Sequence, residues 1–120
     1  MTKVLIVDDA SFMRISIRSM LEKDGFEVVG EAADGLEAIS KYKILQPDVV
    51  TMDITMPNMT GIEAVKGILE FDAKAKILMV SALGQEKFVR QSILAGAKSF
   101  IVKPFKSEEL LDAITKIASM

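Results

Sequence analysis

Four short apolar runs each stop at a residue with useful chemistry. Val4-Leu5-Ile6-Val7 runs into Asp8-Asp9, Val49-Val50-Thr51-Met52 into Asp53, Ile77-Leu78-Met79-Val80 into Ser81, and Phe100-Ile101-Val102 into Lys103-Pro104. An ionised aspartate can attack phosphorus and form an aspartyl phosphate. Such a transfer asks mostly for positioning and for neutralisation of charge on the equatorial oxygens. Gathered in one place, Asp8, Asp9 and Asp53 could offer carboxylate ligands to Mg2+, with the backbone carbonyl of Thr55 as a further oxygen. The Lys103 ammonium and the Ser81 hydroxyl could each meet a phosphoryl oxygen. Without compensation, three crowded carboxylates repel and push at least one pKa up. Taken singly, these residues have plainer uses. Asp9 or Ser11 would cap a first helix, Ser81 would form a local turn through its hydroxyl, and Lys103 would be a solvated charge. Their joint placement is what points to phosphate chemistry.

That placement requires the runs to lie side by side. They are too short for helices and rich in β-branched residues, so they read as strands, with Val28-Val29 as a further one. Their continuous apolarity suggests burial on both faces, as in a parallel sheet covered by helices. Amphipathic segments separate them, the clearest carrying Leu110, Leu111, Ile114, Ile117 and Ala118 at helical spacing. Asp34-Gly35-Leu36-Glu37 and Thr60-Gly61-Ile62-Glu63 read as capping boxes opening the second and third helices. Gly25 and Gly96 fall where helix C-caps belong, and Pro47 stops the second helix. The pattern predicts an α/β fold, a doubly wound five-stranded parallel sheet in the order 2-1-3-4-5 with five helices, flavodoxin-like. Val28-Val29 is the least apolar strand and therefore the edge. In that order the other four strands are contiguous, and their ends share one sheet edge, where such folds bind ligands.

Composition narrows the chemistry. The chain has 120 residues, the length of one domain. It has no Cys and no His, which removes disulfides, thiol nucleophiles, imidazole bases and the usual transition-metal ligands, so a bound metal must be held by oxygen, which points to Mg2+, Mn2+ or Ca2+. A formal charge of −2 without a basic run gives no reason to expect nucleic acid or an acidic membrane surface as partner. No secretory layout or membrane-length apolar run is present, so a soluble, cytoplasmic protein is expected.

The residues carry a resemblance. Val4-Leu5-Ile6-Val7-Asp8-Asp9, then Asp53-Ile54-Thr55-Met56-Pro57-Asn58-Met59-Thr60-Gly61, then Ser81-Ala82, Gly96-Ala97 and Phe100-Ile101-Val102-Lys103-Pro104-Phe105 together resemble a response-regulator receiver domain, over nearly the whole chain. Among receivers the chain is most similar to the stand-alone chemotaxis type. The resemblance implies that residues 1–120 form one receiver domain without an output domain. It implies a two-component signalling protein rather than a classical enzyme, one that assists its own phosphorylation and dephosphorylation. Asp53 would take the phosphoryl group from a sensor histidine kinase. Asp8, Asp9, Asp53 and the Thr55 carbonyl would hold Mg2+, Lys103 would pair with the phosphoryl group, and the Lys103-Pro104 bond would be cis. Ser81 and Phe100 would form the switch couple, where many members carry Thr and Tyr. Ser keeps the hydroxyl, whereas Phe has no phenol to hydrogen-bond. The implied partners are the kinase, a downstream target such as the flagellar motor switch, and a phosphatase, with a monomer as the working state.

Two other classes share the architecture. A phosphohydrolase with an Asp nucleophile typically carries a second Asp two residues later, where this chain has Thr55. A flavin-binding domain needs hydroxyl or Gly donors after its first strand, where Asp8-Asp9 would repel a phosphate. A receiver in a phosphorelay outside chemotaxis would look much the same.

Overall fold

The computed structural model describes all 120 residues. The apolar runs form strands β1 (Lys3–Val7), β2 (Glu27–Ala32), β3 (Val49–Met52), β4 (Ile77–Ser81) and β5 (Ser99–Val102). Between and after them lie helices α1 (Ser11–Lys23), α2 (Gly35–Leu45), α3 (Gly61–Phe71), α4 (Glu86–Ala95) and α5 (Ser107–Ala118). All strand pairs are parallel and the order is β2-β1-β3-β4-β5, as the sequence predicts. β2 is longer than Val28-Val29 suggests, because an edge strand tolerates Glu27, Gly30 and Glu31 within its six residues.

Alternation along the strands sorts the core into two layers. Leu5, Val7, Val50, Met52, Ile77 and Met79 pack under Ala38 and Tyr42 of α2 and Ala64, Val65 and Ile68 of α3. Val4, Ile6, Val49, Leu78, Val80 and Ile101 pack under Ile17 and Leu21 of α1 and Leu110, Ile114 and Ile117 of α5. Each such side chain contributes about 1.5–3 kcal/mol by leaving water. Helix α4 is held differently, since its one buried residue is Ser92, whose hydroxyl donates back to the Phe88 carbonyl.

The caps match their sequence signals with three adjustments. Thr60 and Glu63 close a full capping box at α3. Asp34 accepts from the Glu37 amide at α2, but Glu37 reaches back to Ala33 rather than to Asp34. Neither Asp9 nor Ser11 caps α1. The N-cap there is Ala10, and its amide donates to Asp8 Oδ1. Gly96 is the left-handed C-cap of α4, while Gly25 lies one residue past the C-cap of α1.

One core residue breaks the apolar rule. Thr51 is 1 % exposed, and its hydroxyl is the one buried side-chain polar atom without a partner. It pairs in register with Ile6 and Leu78, both of the α1/α5 layer. An unsatisfied buried hydroxyl costs about 1–3 kcal/mol. Thr51→Val keeps the shape and removes the polar atom, so it is expected to raise stability by about 1 kcal/mol, read as a higher urea midpoint at unchanged slope.

Candidate functional site

The sheet ladder places the site residues directly. The Asp8 amide donates to the Ala32 carbonyl at 3.0 Å, the Asp53 amide to the Val7 carbonyl at 3.0 Å and the Lys103 amide to the Ser81 carbonyl at 2.9 Å. Each site residue thus takes the rung just beyond its strand, and strands distant in sequence deliver their ends to one edge. The Lys103-Pro104 peptide is cis.

Ligand oxygens of Asp8, Asp9 and Asp53 lie within 4.8 Å of one another. Asp8 and Asp53 are buried, at 1 % and 7 % exposure, and Asp9 is exposed. Lys103 Nζ sits 2.6 Å from Asp8 Oδ2 and 3.4 Å from Asp53 Oδ2. Asp53 Oδ1 accepts from the Ile54 amide at 2.8 Å. An all-oxygen trio of this size suits a hard divalent cation such as Mg2+. Thr55 stands exposed two residues after Asp53. The site is shallow: the largest surface depression, about 490 Å³, lies among Tyr42, Asp48, Asp72 and Lys76 at the opposite edge of the sheet.

Burial raises the Asp53 pKa above the ordinary carboxylate value; Lys103 opposes the shift and the neighbouring Asp8 adds to it. In metal-free buffer folded Asp53 therefore holds its proton more tightly than unfolded Asp53. Its contribution to stability is fully favourable below about pH 3.9, falls as pH rises towards the raised value and stays lost above it. Asp53→Asn is thus expected to melt higher than wild type at pH 7 in a chelator, with the gap closing as the pH falls. A wild type that melts higher at pH 7 would show that Lys103 more than offsets burial.

Ser81 serves the local turn that its residue type suggests. Its hydroxyl accepts from the Leu83 amide at 3.1 Å, which leaves the hydroxyl proton free to donate. Ser81 is 1 % exposed. Phe100 lies one strand away, opposite Met79, half-buried against the α2/α3 layer. Met56 belongs to that layer, Met59 packs against it and Met13 packs against the other.

Sequence reasoning left out several residues that hold the site. Asn58, at φ 67°, donates from Nδ2 to Asp34 Oδ2 at 3.1 Å and ties the loop after Asp53 to the start of α2. Gly61 lies so close to Asp53 that a Cβ there would stand 1.8 Å from the Asp53 carbonyl oxygen. Arg14 donates from Nη1 to the Asp8 carbonyl at 2.6 Å and from Nε to Glu31 Oε1 at 2.9 Å. The left-handed preference of Asn within Pro57-Asn58-Met59 was the available signal for the first. The other two depend on contacts across the fold.

Residues 4–115 match the response regulator receiver domain. The chain is 53% identical over 116 residues to the chemotaxis protein CheY of Thermotoga maritima, covering 97% of each. It is 57% identical over 114 residues to that of Bacillus subtilis, covering 95% of each. Among solved structures it is similar to a CheX–CheY–BeF3–Mg2+ complex from Borrelia burgdorferi, with a TM-score of 0.94 and 42% identity over 97% of this chain and 88% of that one.

Proposed function

This chain belongs to the response regulator receiver domain family, and we propose that Asp53 is its phosphoacceptor, taking a phosphoryl group from the phosphohistidine of a sensor kinase. One observation carries the reading: three carboxylates within 4.8 Å of one another, with the Lys103 ammonium bridging the two buried ones. An Asp53 oxygen attacks phosphorus, the P–N bond of the donor breaks, and its electron pair returns to the imidazole. Burial and the Ile54 amide fix the direction of the Asp53 carboxylate. Lys103 offsets charge on the equatorial oxygens, as such transfers require. Asp8, Asp9, Asp53 and the Thr55 carbonyl would hold Mg2+, which when bound supplies further neutralisation of those oxygens.

Ser81 is the switch donor in this reading. Its free hydroxyl proton turns to a phosphoryl oxygen, at the expense of its bond to Leu83. Phe100 on the neighbouring strand fills the space that Ser81 vacates. The new phosphoryl group brings about −1.5 to −2 charges to drive the change. The family works as a phosphoacceptor regulator, and the similarity to CheY proteins favours a role in chemotaxis. This reading takes a cytoplasmic monomer as the working state. The target would be a protein such as a flagellar motor switch, and a phosphatase would reset Asp53.

Acetyl phosphate tests the chemistry. Intact mass should show one added phosphoryl group that requires both Mg2+ and Asp53, and none on Asp53→Asn. Continuous release of phosphate at a constant high rate would favour the phosphohydrolase class instead. Absence of any adduct with acetyl phosphate and with a kinase would overturn the acceptor role.

A further inference from the structure

Asp8 is fastened on every side. Its amide donates to the Ala32 carbonyl at 3.0 Å, Oδ1 accepts from Ala10 at 2.9 Å, Oδ2 from Lys103 at 2.6 Å and its carbonyl from Arg14 at 2.6 Å. Asp9 is exposed and has no comparable set of partners. Its position follows from the peptide plane that joins it to Asp8, and the carbonyl in that plane is the one Arg14 grips. Arg14 is in turn held by Glu31 of β2, whose other oxygen takes Nε of Arg18 at 2.8 Å. The Glu31 carbonyl accepts from Lys41 of α2. A chain of polar contacts thus runs from the edge strand β2 to the Asp8–Asp9 peptide. Burial pushes the Glu31 carboxyl up, but the bonds from Arg18 and Arg14 outweigh it and hold the group below its ordinary value.

We propose that Arg14 is a positioning residue for the cation site: by holding the Asp8–Asp9 peptide plane against Glu31, it fixes the Asp9 carboxylate in reach of the Asp8 and Asp53 carboxylates. The inference rests on the reading that Asp8 and Asp9 bind Mg2+. Two effects of Arg14 have opposite sign, which makes the proposal decidable. As a nearby cation, Arg14 repels Mg2+, so its removal would tighten binding if charge dominated. As a clamp it lowers the cost of ordering Asp9, so its removal weakens binding.

The test is titration of the full metal-free chain with MgCl2 by calorimetry, beside thermal melts in a chelator. Arg14→Met is expected to weaken Mg2+ binding about tenfold, the usual scale for partners that orient metal ligands. Arg14→Lys keeps a donor within range of the carbonyl and should recover most of that loss. Arg18→Met also removes a positive partner of Glu31 but touches nothing at Asp8, so its affinity should stay within about twofold of wild type even where its melt falls equally. Should Arg14→Met not fold, the milder Arg14→Gln, whose shorter amide does not reach the carbonyl, carries the same expectation. Unchanged or tighter binding in either Arg14 variant overturns the proposal, as does an equal loss in Arg18→Met. If Asp9→Asn leaves wild-type affinity unaltered, the cation-site reading itself fails, and the clamp with it.

Discussion

Gly61→Ala is expected to cost about 3 kcal/mol of stability, the top of the range for forcing a group into a packed region. The added Cβ would meet the Asp53 carbonyl oxygen at 1.8 Å, the Asp53 carbonyl carbon at 2.8 Å and Ile54 Cα at 3.0 Å. All three are backbone atoms, so no side chain can turn aside to make room. The Gly61 amide also donates to the Ile54 carbonyl at 2.8 Å, which pins the start of α3 to the strand end that carries Asp53. Relief therefore requires moving either α3 or Asp53. Because a misplacement of about 1 Å at a reacting group can cost about 10²-fold in rate, phosphorylation by acetyl phosphate should fall by a similar factor in whatever fraction stays folded. Urea unfolding and a time course of intact mass check the two parts. An Ala variant with wild-type midpoint and rate would mean that this close approach is not kept in solution.

Lys103→Met should be at least as severe, for an electrostatic reason. The ammonium is the one cation in contact with the buried Asp8 and Asp53 carboxylates, and the Asp8 side chain is only 2% exposed. Removing one partner of a buried pair costs about 3–5 kcal/mol, because it leaves uncompensated charge in a poorly hydrated place. The loss should be largest in a chelator at neutral pH. It should shrink when Mg2+ is added, because a divalent ion takes over part of the neutralisation. Phosphorylation should still fall about 10²-fold, the scale seen when one charge-stabilising donor is removed from a site. Melts with and without Mg2+, beside mass-detected phosphorylation, separate the two roles. A variant that loses stability but phosphorylates at the wild-type rate would leave Lys103 a purely structural cation.

Much of this was legible in the sequence because strand ends are legible. The apolar runs fixed β1, β3, β4 and β5 to within a residue or so, and the weak Val28-Val29 run identified β2 as the edge. Once those strands are parallel and adjacent, Asp8, Asp53, Ser81 and Lys103 must share an edge, since Ser81 ends β4 and the ladder extends one rung into each of the other three. What escaped was the support beneath the site. The full extent of β2 was hidden because an edge strand need not be apolar. Arg14 and Glu31 lie 17 residues apart, on a helix and on that edge strand, and nothing in their spacing says that they meet. The closeness of Gly61 to Asp53 depends on the angle at which α3 leaves the sheet. Ser81 was open to two uses, and the structure shows the local turn.

The order in which the site is assembled follows from the bond between Lys103 and Asp8, which spans 95 positions of the chain. During translation at about 5–20 residues per second, Asp8 precedes its ammonium partner by about 5 to 20 seconds. A nascent chain that has not yet released β5 holds its acidic residues without their counter-charge, and its fourth strand is an open edge. The group that completes the charge balance is therefore among the last to be synthesised. If Asp53 is the phosphoacceptor, as proposed above, chains that stop short of Lys103 should accept little phosphoryl group.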